Sequence, residues 1–182
     1  MMKTKFAGEE RLEFRNSVLQ LDEFEVVHQA EAGKTLRFTA VPRVGAAVCP
    51  HCGALCTQTQ QTRDRDGIRD LPIGKRGVVL RVRVRELRSD ACERCFTPRF
   101  RSIAAGTHAT ERFLERAASI VRRSDIANAA RLCGVPERTL ARWYSGFVER
   151  RQSQPSVALK PITSLGIDEL SQKKAPSVRG SE

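Results

Sequence analysis

The sequence is poor in aromatic side chains and has no long apolar run. Phe, Tyr and Trp make up 5% of the 182 residues, with a single Trp and a single Tyr, which predicts small modules rather than one large core. The apolar runs are too short to cross a membrane as a helix, so no membrane partner is expected. The first residues carry charge and no apolar stretch, which argues against a secretory signal. These absences predict a cytoplasmic protein whose thiols stay reduced.

Basic side chains, in contrast, are in excess. The chain has 32 Lys and Arg against 21 Asp and Glu, a net charge of +11 and a pI near 10.0. Most of the surplus falls within residues 57–151. A balance of this kind predicts a polyanionic partner, here double-stranded DNA, although a basic protein without such a partner is the alternative.

The cysteines form two C-x-x-C pairs, in "CPHCG" at 49–53 and "CERC" at 92–95. Two such pairs in a reduced compartment predict a structural Zn²⁺ bound by four thiolates, whereas each pair alone would also fit a redox dithiol or buried thiols. Cys56 and His51 remain alternative ligands because they lie close in sequence. The predicted ligands are Cys49, Cys52, Cys92 and Cys95.

The segment between the cysteine pairs has the pattern of antiparallel sheet. In "GVVLRVRVREL", residues 77–87, apolar side chains alternate with arginines, which predicts one packed face and one basic face. Turns are predicted at Asp66-Gly67 and at Ile73-Gly74. The arginines of the basic face are predicted DNA contacts: Arg81, Arg83 and Arg85.

The next part of the chain has the pattern of helices. Residues 109–123 form an amphipathic segment with Thr110 as predicted N-cap, and Ser124 is the predicted cap of the following helix. Gly134 then ends that helix before another begins, which predicts a helix-turn-helix, with a plain helical hairpin as the alternative. The predicted DNA contacts at the start of the last helix are Glu137, Arg138, Thr139 and Arg142.

The order of these parts resembles the N-terminal half of the ISL-three family of insertion-sequence transposases. The resemblance covers roughly residues 25–170. The matching segments are "CPHCG" at 49–53, "RDLPIGKRGVVLRVRVREL" at 69–87, "CERCFTPRF" at 92–100, "AARLCGVPERTLARW" at 129–143 and "LGIDEL" at 165–170.

This resemblance implies a zinc-binding domain, a helix-turn-helix and then a DDE nuclease core of RNase-H-like fold. It makes Asp168 the first catalytic carboxylate, which in a complete family member helps to hold Mg²⁺. The sequence stops soon after Asp168. We therefore expect a truncated copy that is not an enzyme by itself, in a prokaryotic cytoplasm and on the nucleoid when bound to DNA.

Together these observations predict an α+β fold: a small antiparallel zinc-binding module, a helix-turn-helix module, and the first strand of an incomplete RNase-H-like core. The expected function is recognition of the terminal inverted repeats of an insertion sequence, and further partners are full-length transposase or a second copy of the chain. The alternatives are a zinc-stabilised module that inhibits full-length transposase, or a domesticated transcription regulator. The predicted domains are an N-terminal helix and hairpin at 1–45, the zinc domain at 46–101, the helix-turn-helix at 102–150, a linker at 151–164 and the start of the nuclease core at 165–182.

Overall fold

The computed structural model describes residues 18–153. A sheet made by the first part of this range is followed by a group of helices. The strands are β1 (Phe24–Ala32), β2 (Thr35–Pro42), β3 (Ala47–Val48), β4 (Leu55–Cys56), β5 (Thr59–Ile73), β6 (Arg76–Arg88) and β7 (Cys95–Phe96). The helices are α1 (Glu111–Val121), α2 (Ile126–Cys133) and α3 (Glu137–Gln152).

The main sheet has the strand order β1-β2-β6-β5, and β7 extends it by pairing with the end of β6. The hairpin predicted from the N-terminal sequence is confirmed as β1 and β2. The prediction of an antiparallel sheet holds for most pairs but not for β2 and β6, which run parallel from Thr35 beside Gly77 to Ala40 beside Val82. Two antiparallel hairpins lie side by side, and their inner strands point the same way.

The predicted alternation along β6 is confirmed. Between residues 78 and 84 its buried side chains, all at most 4% exposed, are Val78, Leu80, Val82 and Val84. They pack with apolar side chains of the N-terminal hairpin, such as Phe24 and Phe38, in one hydrophobic cluster. The hairpin and the strands that follow it therefore share one sheet and one core.

The turn predicted at Asp66-Gly67 is wrong, because β5 continues through these residues. The pairing of β5 with β6 shifts register between Arg65 and Ile68, and Gly67 there has φ +76°. This is a β-bulge: the extra residue bends the strand without reversing it. The turn predicted at Ile73-Gly74 is confirmed, since β6 begins at Arg76.

The helices pack around a second cluster that includes Leu114, Leu140 and Trp143. Thr110 caps α1 as predicted, and its side chain accepts a hydrogen bond from the Phe113 amide. The predicted cap of α2 is wrong by one residue: Asp125, not Ser124, accepts from the Asn128 amide. The backbone at Asp125 is extended, which is the typical conformation of an N-cap residue.

The sheet and the helices meet along β5. The backbone of Arg69 donates to the His108 carbonyl at 2.8 Å and accepts from the Thr110 amide at 2.9 Å. The segment that leads into α1 therefore adds to the edge of β5 as a short bridge. Within residues 18–153, no helix is long and apolar enough to span a lipid bilayer.

Candidate metal centre and nucleic-acid interface

Three of the four predicted metal ligands lie together. The sulfurs of Cys49, Cys52 and Cys92 are all within 4.8 Å of one another, and those of Cys49 and Cys92 are 3.8 Å apart. A tetrahedral zinc site with Zn–S bonds of about 2.3 Å has sulfur–sulfur edges of about 3.8 Å. The cluster therefore has the donor type and the spacing that suit a metal ion such as zinc.

Two hairpins carry the cysteines of this cluster. The first of them, β3 and β4 with the turn between them, positions Cys49 and Cys52. The Cys49 amide donates to the Ala54 carbonyl at 2.8 Å, and the Gly53 amide donates to the Cys49 carbonyl at 3.0 Å. This closed turn brings both sulfurs to one side. Cys49 is 1% exposed and packs with Leu87 of β6 in a small apolar cluster.

The second hairpin, the end of β6 with β7, carries Cys92 in its turn and Cys95 in β7. Cys95 is exposed and is not among the sulfurs that lie within 4.8 Å of one another. The alternative ligands are also outside this group: the buried Cys56 thiol is 3.4 Å from the Ala54 carbonyl oxygen, and His51 Nδ1 is 3.3 Å from an Arg94 guanidinium nitrogen.

The thiols of the cluster have shifted acidities. Burial tends to raise the pKa of Cys49, but hydrogen bonds from the backbone amides of His51 and Cys52 and from neighbouring thiols lower it to about 7. Hydrogen bonds from Ser89 and from the Ala54 amide favour a lower pKa of Cys52. The neighbouring thiols and burial together have the larger, opposite effect, so the net pKa of Cys52 is raised. Of these two thiols, Cys49 therefore loses its proton more easily, and the thiolate is the form that binds metals.

The arginines predicted to form a basic face on β6 are exposed but are partly neutralised. Arg81 makes two hydrogen bonds to a carboxylate oxygen of Asp66, the shorter 2.7 Å, and this carboxylate raises the pKa of Arg81. Arg83 lies 3.2 Å from the Asp64 carboxylate. The sequence placed these arginines on the outer face but gave no sign that β5 would supply their partners.

The connection between α2 and α3 has the conformation that the sequence predicts. Gly134 is left-handed, with φ +63° and ψ +36°, and its amide donates to carbonyls of the last turn of α2. Because side chains with a Cβ rarely adopt this conformation, glycine suits this position. Val135 is then buried, at 6% exposure, and the chain enters α3.

The predicted DNA contacts lie in the first turns of α3. Glu137, Arg138 and Arg142 are exposed and Thr139 is half-buried, whereas Leu140 and Trp143 of the same helix face the core. The residues proposed to contact DNA thus share the outer surface of α3, on the side away from its buried stripe.

A basic cleft that sequence reasoning missed lies between the sheet and the helices α1 and α2. It has a volume of about 600 Å³, and Gly134 lines it just before α3 begins. The one acidic side chain in its wall, Asp70, is already paired with Arg112. Its basic side chains come from separate parts of the chain: Lys34, Arg69, Lys75, Arg116 and Arg131.

Apart from Arg131, these basic side chains have no charged partner among the described residues. Within residues 18–153, no carboxylate forms an ion pair with Lys34, Arg69, Lys75 or Arg116. Arg131 donates to the side-chain oxygen of Asn128 at 2.5 Å. No run of basic residues marks this cleft in the sequence, because only the fold brings its members together.

Several sequence predictions lie outside the described residues. These are Asp168 and the proposed nuclease segment 165–182, nearly all of the linker at 151–164, and most of the predicted N-terminal helix.

Comparison with known proteins finds a partial match to a transposase. It is 34% identical over 104 residues to the transposase for insertion sequence element IS1001 of Bordetella parapertussis. The match covers 56% of this chain but 25% of that transposase, so the chain spans about a quarter of the relative's length. No protein-family model and no solved structure matches the chain. The chain is thus related in part to a transposase of an insertion sequence.

Proposed function

We propose that this chain is the DNA-binding portion of a transposase of the ISL-three type and recognises the terminal inverted repeats of an insertion sequence. The observation that carries the proposal is the exposed start of α3, which follows the Gly134 turn and lies next to the basic cleft. The partial similarity to an insertion-sequence transposase supports the same conclusion.

In this proposal α2, Gly134 and α3 form a helix-turn-helix, and α3 enters the major groove. Arg138 and Arg142 are one helical turn apart, so they lie on the same face of α3 and reach neighbouring base pairs. An arginine in the groove can donate two hydrogen bonds to the O6 and N7 atoms of guanine. Glu137 and Thr139 add a carboxylate acceptor and a hydroxyl group at the same end of α3.

The basic cleft supplies the sequence-independent part of the binding. Phosphate contacts position a protein on the duplex, and base contacts then read the sequence. Lys34, Lys75 and Arg116 are exposed, line the same cleft as Gly134 and form no ion pair among the described residues. We assign the backbone of one DNA strand to this cleft. The outer face of β6, where Arg81 and Arg83 are paired with aspartates, is a weaker contact unless DNA displaces those partners.

The proposed metal is a structural Zn²⁺ at the cysteine cluster. The apolar cluster around it is small, with Cys49, Cys56, Leu87 and Phe96 as its buried members. Such a small core needs additional cross-links to hold two hairpins together, and a metal ion supplies them. The catalytic steps of a complete transposase are assigned by the resemblance to a core that includes Asp168.

The proposal is tested by salt-dependent binding of the whole chain to duplexes that carry the terminal repeats of the insertion sequence. Binding should weaken steeply with salt, because neutralised phosphates release counterions. The Arg138→Ala and Arg142→Ala variants should each lose about 1–3 kcal/mol on the repeats and little on unrelated duplex.

Arg151→Ala is the matched control. Arg151 is an exposed arginine in the last turn of α3, paired with Glu115, and its loss should leave sequence preference unchanged. Equal loss of affinity for repeat and unrelated duplexes in the Arg138→Ala variant would contradict the assignment of α3 to base recognition.

A second function is favoured by one surface. Val48 and Leu55 face each other across β3 and β4 and are 62% and 70% exposed. Val44, four residues before Val48 in the sequence, is 71% exposed. Such an apolar patch suits contact with a protein, here full-length transposase, which the chain would inhibit by mixed assembly. Inhibition of transposition that persists in an Arg138→Ala, Arg142→Ala chain and disappears in a Val48→Ser, Leu55→Ser chain would support it.

A further inference from the structure

The two hairpins that carry the cysteines share one backbone plan, and equivalent residues are 40 apart in the sequence. The cross-strand pairs are Ala47–Cys56 and Val48–Leu55 in the first hairpin, and Leu87–Phe96 and Arg88–Cys95 in the second. Each hairpin thus has the same two pairs around a turn of the same length. The repeat therefore identifies, for each ligand in the first turn, the equivalent residue in the second turn.

The same hydrogen bond closes both turns. In the first hairpin the Cys49 amide donates to the Ala54 carbonyl at 2.8 Å, and in the second the Ser89 amide donates to the Arg94 carbonyl at 3.0 Å. Ser89 therefore occupies the position of Cys49, the first ligand of its turn.

Backbone conformation gives the same alignment. Gly53, directly after Cys52, has φ +75°, and Glu93, directly after Cys92, has φ +57°. Few residues with a side chain adopt such a φ, so the match is not a general property of turns. Cys92 is thus the equivalent of Cys52, the second ligand of its turn.

Burial also follows the 40-residue offset. Cys49 and Ser89 are 1% and 0% exposed. Phe96 is 9% exposed and packs against the cysteine cluster, while Cys95, its neighbour in β7, is exposed. Since adjacent residues of a strand point to opposite faces, Cys95 faces away from the cluster, as its equivalent Leu55 does.

We propose that Ser89, not Cys95, stands at the fourth ligand position of the metal centre, which would then offer three thiolates and one hydroxyl oxygen. Ser89 Oγ lies 3.3 Å from Cys52 Sγ. Tetrahedral zinc with one oxygen and one sulfur ligand has an edge of about 3.6 Å between them. This inference rests on the proposed zinc centre and is independent of DNA binding.

A serine at the fourth ligand position changes the chemistry of the metal site. Three thiolates give the zinc complex one negative charge fewer than four would. A neutral hydroxyl is also a weaker ligand than a thiolate, so the ion is held less tightly. The second C-x-x-C pair, Cys92 and Cys95, is then a pair in sequence only, and the Cys95 thiol stays free at the surface.

The test compares three variants of the full chain: Cys95→Ala, Ser89→Cys and, as a control for a thiol outside the site, Cys133→Ala. Each is loaded with Co²⁺, whose sulfur-to-metal absorption grows with the number of bound thiolates. Zn²⁺ affinity is then measured by competition with a chelator. We expect Cys95→Ala and Cys133→Ala to match the unmodified chain. Ser89→Cys should gain one thiolate and bind Zn²⁺ at least about tenfold more tightly, since even outer-shell changes alter metal affinity by about 10–100-fold.

The opposite results are equally clear. A drop of one thiolate in Cys95→Ala, or unchanged absorption in a Ser89→Cys chain whose circular dichroism shows it folded, would overturn the assignment of Ser89. Failure of both the unmodified chain and Ser89→Cys to bind Co²⁺ would instead overturn the zinc centre itself, together with this inference. DNA binding, measured on the same samples, reports separately on the proposed function.

Discussion

Arg112 of α1 forms a two-bond ion pair with Asp70 of β5, and the Asp70 side chain is fully buried. Arg112 Nε donates to Asp70 Oδ1 at 2.7 Å, and its terminal nitrogen contacts Oδ2. The Thr110 hydroxyl also donates to Oδ1 at 2.7 Å. A further Arg112 bond reaches the Leu19 carbonyl at 2.5 Å. This pair connects the sheet, the first helix and the segment before β1.

Removal of Arg112 should strongly destabilise the chain. Arg112→Ala leaves a buried carboxylate without its counter-charge, which typically costs 3–5 kcal/mol. Since 29% of the Arg112 side chain is exposed, we expect a loss of about 3 kcal/mol, the lower end of this range. Urea unfolding followed by circular dichroism measures it.

Arg76→Ala is the control for this prediction. Arg76 pairs with Glu31 at 2.7 Å, but both side chains are about half exposed, so the loss should stay below about 1 kcal/mol. Equal effects of the two substitutions would show that burial of Asp70 does not decide the strength of the pair.

Metal binding should depend on Cys92. A Cys92→Ser chain should lose most of its zinc, because the ion would keep two of its three thiolates. Without the ion, the β3–β4 hairpin should separate from the hairpin formed by the end of β6 and β7. Metal analysis of the purified chain should give about one zinc per molecule in the unmodified protein. The Cys133→Ala chain should keep its zinc, since Cys133 lies in α2. Normal zinc content in Cys92→Ser would remove this residue from the site.

Glu23 should contribute stability that depends on pH. Its carboxylate accepts bonds from the amides of Arg101 and Ser102, at 2.9 and 2.8 Å, and from the Ser102 hydroxyl. Burial tends to raise the pKa of Glu23, but these bonds lower it below its ordinary value of 4.5. A depressed pKa means that the contribution is fully present above pH 4.5 and disappears as the pH falls through the lower, folded-state value.

Glu23→Gln tests this contribution. The substitution should cost about 1–3 kcal/mol near neutral pH, the range for hydrogen bonds to a charged group. The difference from the unmodified chain should shrink as the pH falls below 4.5. Urea unfolding at several pH values measures both. A difference that stays constant from pH 6 to pH 3 would show that the charge of Glu23 has no part in it.

The basic cleft should contribute to DNA affinity but not to sequence preference. Lys75→Ala and Arg116→Ala should each weaken binding to repeat and unrelated duplexes alike and reduce the salt slope by about 1. Arg76→Ala, next to Lys75 but paired with Glu31, is the matched control and should leave the slope unchanged. A reduced slope in the control alone would place the DNA backbone on another surface.

Several features set by short stretches of sequence were predictable. The alternation of β6, the β1–β2 hairpin, the Thr110 cap and the left-handed Gly134 each depend on a few neighbouring residues. Their side chains and backbone preferences act over one turn or one strand, so the sequence alone indicates them.

Features that depend on distant pairing were not predictable. The parallel contact of β2 with β6 joins residues far apart in sequence. The Arg81–Asp66 pair depends on the bulge in β5, because Asp66 lies between Arg65 and Ile68, where the register shifts. The position of Cys95 depends on such pairing too: its spacing from Cys92 fits a ligand pair, but Cys95 lies in β7, is exposed and lies outside the group of sulfurs within 4.8 Å of one another. A comparison of residues 47–56 with residues 87–96 could have indicated the 40-residue offset between the two hairpins that carry the cysteines.

The pairing of β2 with β6 also bears on how the protein is made. The β1–β2 hairpin can form as soon as its own residues leave the ribosome, but its inner edge has no neighbour until β6 has been synthesised. During that interval an open strand edge is available to other nascent chains. The order of synthesis therefore leaves the inner edge of the N-terminal hairpin open to mispairing until β6 has been made.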